Sequence, residues 1–180
     1  MTGLNWYKTP WKQPDIPLNQ TPPAHKAMSP THKPAPYHSL FCFGTLQIPA
    51  VLEAVIGRRL QGARAFLHGY IALRVCGAEY PGLHRAPGQK TPGRLYREVT
   101  PQELDVLDRF EGPLYRRRYQ FVSKNNGQRT QAWTYMIAAG RQNQLTKTPW
   151  HLDRFMRTEY PRFMRRFVRN RRFLYLPEGR

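Results

Sequence analysis

Two short stretches of this chain combine residue types that could do chemistry. The first is FCFGTL, Phe41 to Leu46. A buried strand running into Gly-Thr ends in a tight turn whose amide N–H groups, freed from the sheet, can point at one anion, and Gly44 lets that anion approach the backbone closely. The same residues suit an ordinary strand-to-loop glycine, so the turn alone leaves both readings open. The second is the end of PQELDVLDRFEG, residues 101–112. At about 100° per residue, Leu104, Leu107 and Phe110 define a buried stripe, and Glu111 falls only about 20° from Leu104. A carboxylate in a core-facing slot loses hydration, so its pKa rises toward neutrality, as a general base and acid at pH 7 requires. Asp108, at the edge of the stripe, would push it up further by like-charge repulsion. In the competing reading the helix frays at Glu111 and the side chain swings into solvent or pairs with Arg116, Arg117 or Arg118.

Nothing else in the sequence supplies a nucleophile or a metal site. Neither Ser39 nor Ser123 sits in a nucleophile elbow, and neither cysteine has a partner base. Cys42 and Cys76 lie in apolar stretches without a CxxC and are expected to be reduced core thiols. The histidines, at 25, 32, 38, 68, 84 and 151, lack the close spacing of metal ligands, so neither metal nor cofactor is expected.

The elements that must position these residues are short. SLFCFG reads as a buried strand, and PAVLEAVIG as a helix with Pro49 in its first turn and Gly57 as its stop. ARAFLHGYIALRV and GRLYREV are strand-like. Thr100 with Glu103 three residues later is a capping-box signature that opens the helix carrying Glu111, and Gly112 closes it. YRRRYQFVSK, NNG and QRTQAWTYMIAA predict a hairpin in which Asn126-Gly127 supplies the positive-φ positions. Strands outnumber helices, which gives an α+β class with a curled mixed sheet or small barrel. HRAPGQKTPG (84–93) reads as a variable loop. The last 30 residues predict a helix, kinked or divided at Pro161. Its apolar face is Leu152, Phe155, Met156, Tyr160, Phe163, Met164, Phe167 and Val168, and arginines fill the opposite face.

Composition bounds the partners. At 180 residues the chain is about one ordinary domain, yet 29 Lys and Arg against 11 Asp and Glu give +18 and invite a polyanion reading. Eight of the 17 prolines fall in residues 1–38, which have no helical or strand period; this segment is expected to be extended or disordered, with Trp6, Tyr7 and Trp11 as its only anchors. The densest charge is in the C-terminal 30 residues, nine basic to three acidic. The division expected is therefore a tail over 1–38, a domain over 39–148 and a basic amphipathic extension over 149–180. The remaining net +9 of residues 41–150 would suit a cationic rim for a substrate bearing carboxylates. No apolar run reaches the roughly 20 residues of a membrane span and no secretory h-region is visible, so a soluble, cytoplasmic protein is expected.

Taken together, FCFGTL, AEYPGLHRAPG, GRLYREVTPQELDVLDRFEG and YRRRYQFV resemble, in order and spacing, the γ-glutamylcyclotransferase-like family, including its plant and bacterial γ-glutamylamine branch. The resemblance covers about residues 39–139. It implies a small mixed β-barrel with flanking helices and a pocket for a γ-glutamyl small molecule, with Glu111 as general base and acid. It also implies a head-group turn at Phe43, Gly44, Thr45 and Leu46, with Tyr115 lining the pocket. Where the family usually has a tyrosine in that turn, this chain has Phe43. The reaction implied is attack of the substrate's α-amine on its own γ-carbonyl, releasing pyroglutamate and an amine; it needs positioning and one proton shuttle but no protein nucleophile.

A second reading is a non-catalytic module that grips nucleic acid through RRFVRNRR (165–172) and YRRRY (115–119), or lays its C-terminal helix on an anionic membrane. In the favoured reading that helix packs on the barrel and its arginines give at most weak polyanion binding.

Overall fold

The computed structural model describes residues 37–170, with side chains to 167. Of the proline-rich tail expected over 1–38, residues 1–36 lie outside the described residues, as do the expectations for Val168 and the end of RRFVRNRR, while His38 already belongs to the first strand. In chain order the elements are β1 (His38–Cys42), α1 (Pro49–Ile56), β2 (Gly62–Val75), β3 (Pro81–Val99), α2 (Pro101–Glu111), β4 (Tyr115–Lys124), β5 (Arg129–Ile137), β6 (Leu145–Pro149), α3 (Leu152–Thr158) and α4 (Tyr160–Asn170).

The strand order β3-β1-β5-β4-β2 closes on itself because β2 also pairs with β3, and β6 adds to β2 outside the ring. β1 runs parallel to β5 and every other pairing is antiparallel, so the barrel is mixed, as expected. One face of each strand fills the interior: Leu40, Ala65, Val122, Ala132 and Thr134 are completely buried.

Local chemistry sets the helix limits. Pro49 opens α1 and Gly57, at φ 82°, ends it in the left-handed region. Both halves of the capping box on α2 form: the Glu103 N–H donates to Thr100 Oγ1 at 3.2 Å, and the Thr100 N–H donates to Glu103 Oε2 at 2.8 Å. Arg58, just past α1, pairs with the same Glu103 and so ties the two helices together. Of the hairpin-turn pair, only Gly127 has a positive φ, at 79°. Asn126 acts differently from the expectation, its Oδ1 accepting the Gln128 N–H at 3.1 Å in a wider turn.

Two other expectations need correction, and one strand was not foreseen. Residues 84–93 are not a loop but the middle of β3, paired with β2 from Arg74↔Pro81 to Gly62↔Tyr96. Pro87 is accommodated because the register shifts between His68 and Tyr70, leaving residues 86–89 without a partner, and Gly88 there has φ 79°, while Pro92 stands within the ladder opposite Phe66. The segment Leu145–Pro149, to which the sequence assigned no element, is strand β6. Cys42 is buried but Cys76 is exposed, because it follows β2 in the turn before β3.

The C-terminal helix is divided, as Pro161 predicts, with α3 ending at Thr158 and Pro161 falling in the first turn of α4, where its missing N–H has no helical partner to lose. Phe155, Phe163 and Phe167 are buried, and Phe167 meets Phe110 of α2 edge-on at 5.7 Å. Burying each such ring contributes about 2–3 kcal/mol. Polar anchors flank this face: Arg74 pairs with Glu159 at 2.7 Å, while the buried Glu79 takes Arg162 at 2.8 Å and Arg166. Packing thus accounts for the amphipathic face and for two of its arginines.

Candidate functional site

β1 delivers its last residues to the mouth of the barrel, where Thr45–Gln47 form one turn of 3-10 helix after Gly44. The first backbone bonds of this turn run from the Gln47 N–H to the Gly44 carbonyl at 3.1 Å and from the Ile48 N–H to the Thr45 carbonyl at 3.0 Å. The N–H groups of Thr45 and Leu46 precede them and have no intrahelical acceptor. Gln47 Nε2 donates to the Phe43 carbonyl at 2.6 Å and fixes the turn from outside. A Cβ on Gly44 would lie 3.1 Å from the Pro81 ring, so this position is also sterically tight.

The turn forms one wall of a cavity of about 190 Å3. Phe41, Cys42, Phe43, Gly44, Thr45 and Leu46 line one side, and Tyr80, Pro81, Phe110, Glu111, Tyr115, Tyr135 and Phe163 complete it. All six residues singled out from the sequence (Phe43, Gly44, Thr45, Leu46, Glu111 and Tyr115) therefore meet around one space. Aromatic rings make up most of the remaining wall, and no Lys or Arg is among the described residues that line it, so the net charge of residues 41–150 is not concentrated on these walls.

Glu111 is the last residue of α2, half-buried, and lines the cavity. Among the described residues, no hydrogen bond or ion pair holds its carboxyl. Of the alternative partners, Arg117 Nη2 lies 3.3 Å from Asp108 Oδ2, Arg116 Nη1 donates to the Tyr115 carbonyl at 2.9 Å, and Arg118 is exposed. Burial, with Asp108 one turn earlier adding like-charge repulsion, pushes the Glu111 pKa up to about 8. Asp108 Oδ1 also accepts the Tyr135 hydroxyl at 2.7 Å, which joins α2 to β5 beside the cavity. Burial likewise raises the Cys42 thiol well above its ordinary value, helped by the nearby Glu111, so this cysteine is a poor nucleophile at neutral pH.

Tyr115 lines the cavity, but its hydroxyl is already committed, donating to the Pro81 carbonyl at 2.8 Å. Burial and the neighbouring Glu111 both raise its pKa, so it stays a neutral donor. Its direct effect is to pin the start of β3 to the start of β4, across the cavity mouth. Tyr80 packs against it with ring centroids 6.4 Å apart. Sequence reasoning did not find Tyr80, Tyr135 or Phe163 as cavity walls, since all three arrive through long-range packing.

Residues 40–156 match the family described as gamma-glutamyl cyclotransferase, AIG2-like. The chain belongs to this family. Among curated relatives, Protein AIG2 C of Arabidopsis thaliana is 29% identical over 100 residues, covering 55% of this chain and 61% of its own length. The matched part of the chain thus spans less than two thirds of that relative. An Arabidopsis thaliana protein solved in solution superposes with a TM-score of 0.60 at 23% identity, over 83% of this chain and 90% of its own. An AIG2-like protein from Mus musculus superposes with a TM-score of 0.52 at 24% identity, over 64% and 86% of the two chains. These likenesses establish the gamma-glutamyl cyclotransferase-like fold. Among the described residues no helix is long and apolar enough to cross a membrane, and no cluster of three His, Cys, Asp or Glu residues could hold a metal ion.

Proposed function

We propose that this protein closes the ring of a γ-glutamyl amide, releasing pyroglutamate and the attached amine, with Glu111 moving the proton. The observation that carries the reading is an unpaired carboxyl of pKa about 8 in the same cavity as a Gly-Thr turn with unengaged N–H groups. In this reading the N–H groups of Thr45 and Leu46 hold the substrate's α-carboxylate, as phosphate and carboxylate groups are held at other helix starts. That anchoring leaves the α-ammonium to face Glu111, whose ionised form takes one proton. The neutral α-amine then attacks the γ-carbonyl carbon and the new ring C–N bond forms. As the exocyclic C–N bond breaks, Glu111 gives its proton to the leaving nitrogen, then takes the second proton from the new ring nitrogen and passes it to the departing amine, which leaves as an ammonium, so the carboxyl ends as it began.

A pKa near 8 suits both halves of this cycle, because the group is neither permanently ionised nor permanently protonated near neutrality. Arrival of the substrate's ammonium beside Glu111 favours the ionised form, so binding itself prepares the base. The aromatic walls and the absence of Lys and Arg from the lining favour a leaving amine that is apolar over one that ends in a carboxylate. In place of the usual turn tyrosine, Phe43 removes one hydroxyl and makes that wall more apolar still.

The test incubates the full chain with γ-glutamyl amino acids, γ-glutamylamines and glutathione, and measures pyroglutamate and free amine. Equal release of the two from at least one amide, fastest with apolar leaving amines, is expected. No release from any of them would overturn the proposal.

A further inference from the structure

Away from the cavity, the outer surface of the barrel carries a second group of side chains that the proposed reaction does not use. On β4, Tyr119 and Phe121 stand two residues apart on one face, 50% and 52% exposed, while Val122 on the other face fills the interior. The register places Trp133 of β5 opposite Tyr119, and the two rings stack with centroids 3.6 Å apart. On the other side of β4, Phe66 of β2 lies opposite Ser123. Cations cover the same face. Arg64 and Lys90 sit over Phe66 at 5.3 and 5.1 Å, and Arg129 sits over Phe121 at 5.0 Å.

The charge is one-sided. The spans of β2, β4 and β5 contain no Asp or Glu. Among the described residues no carboxylate pairs with Arg64, Lys90 or Arg129. A single exposed ring needs no explanation, but aromatic residues from three adjacent strands, bracketed by unpaired cations on one face, form a patch with a definite complement. That complement is anionic at regular intervals and has flat unsaturated faces between the charges.

We propose that this sheet face binds single-stranded nucleic acid, with bases stacking on Tyr119 and Phe121 and phosphates held by Arg64, Lys90 and Arg129. Side chains two apart on a strand are separated by roughly 6.8 Å, which gives each ring room for its own base. Trp133 occupies one face of Tyr119 and Arg129 one face of Phe121, and stacking on what these half-exposed rings leave free requires bases that are not already stacked in a duplex, so the partner is single-stranded. The stacked Tyr119–Trp133 pair forms a rigid platform, and Arg117, 5.0 Å over Trp133 and paired with Asp108, braces it from behind. This surface lies on different residues from the cavity, so the inference stands whatever the cavity catalyses.

The test measures fluorescence anisotropy of a labelled 12-nucleotide oligo(dT), with a hairpin duplex of equal phosphate number and phosphatidylserine vesicles as parallel arms. The expected result is binding to the single strand that exceeds binding to the hairpin. Tyr119→Ala and Phe121→Ala should each weaken it, by roughly five- to 150-fold per ring, with little change in the salt slope. Replacing Arg64, Lys90 and Arg129 together by Gln should lower the slope of log K against log salt by about 2. Equal affinity for the hairpin, single-strand binding indifferent to both ring variants, or a preference for the vesicles lost in the same variants would each overturn the proposal. Should a ring variant melt early, the Gln triple variant decides, and an unchanged salt slope refutes the assignment.

Discussion

Replacing Glu111 by Gln should make the protein more stable at neutral pH while removing its proposed activity. The magnitude follows from the site. A carboxyl with an ordinary value of 4.5 is lifted to about 8, so the folded chain holds a proton that the unfolded chain has released. At pH 7 this linkage favours the unfolded state by about 3 kcal/mol, and Gln, which does not ionise in either state, removes that penalty. For a chain of this size the gain corresponds to a melting point higher by about 6–12 °C. The sign fixes the pH dependence. Because the folded-state pKa is raised, the wild-type chain keeps its full stability below about pH 4.5 and loses it progressively as the pH climbs toward about 8. Thermal melts of both chains at pH 4, 5.5, 7 and 8.5 should therefore diverge upward from near coincidence at pH 4. A difference in melting point that is constant with pH, or a Gln chain less stable at pH 8, would show that Glu111 is not the half-buried, unpaired acid described here.

Further consequences can be checked in the same way. Asp108→Asn removes the like charge that helps raise Glu111, so the rising limb of kcat/KM against pH should move to lower pH; an unmoved limb would show that Asp108 does not act on the base. Tyr115→Phe leaves the buried Pro81 carbonyl without its donor and should destabilise the chain by about 1–3 kcal/mol in denaturant melts. Its kcat should fall less than that of any change at Glu111, because the hydroxyl holds a wall of the cavity. Glu79→Gln releases the charge that anchors Arg162 and Arg166, and limited proteolysis should then cut within α3 and α4 sooner than in the wild type.

Local signals were enough to read α1, α2 and the β4–β5 hairpin from the chain, because their limits are written in adjacent residues: Pro49 and Gly57, Thr100 with Glu103, and Asn126-Gly127. The position of Glu111 beside the core was equally legible, since helical periodicity alone turns it toward Leu104. Residues 84–93 were not, because their prolines and glycines break alternation, and it is pairing with β2, distant in sequence, that makes them a strand. β6 was hidden for the same reason: LTKTP has little apolar content and is held by its partner strand at Leu73 and Val75. The net charge misled about the cavity. The cations lie on the barrel's outer face and on the C-terminal helices, while the cavity walls are aromatic. Tyr80, Tyr135 and Phe163 reach those walls from the β2–β3 turn, β5 and α4, an arrangement that no local pattern encodes.

The central claim is that Glu111 carries the proton in ring closure, and turnover by the Glu111→Gln chain tests it most directly. With the amide that the wild-type chain cleaves fastest, pyroglutamate release should drop by roughly 10²- to 10⁴-fold in kcat, in a protein that melts no earlier than the wild type. Turnover within tenfold of the wild type would contradict the claim and leave the cavity without its proposed base.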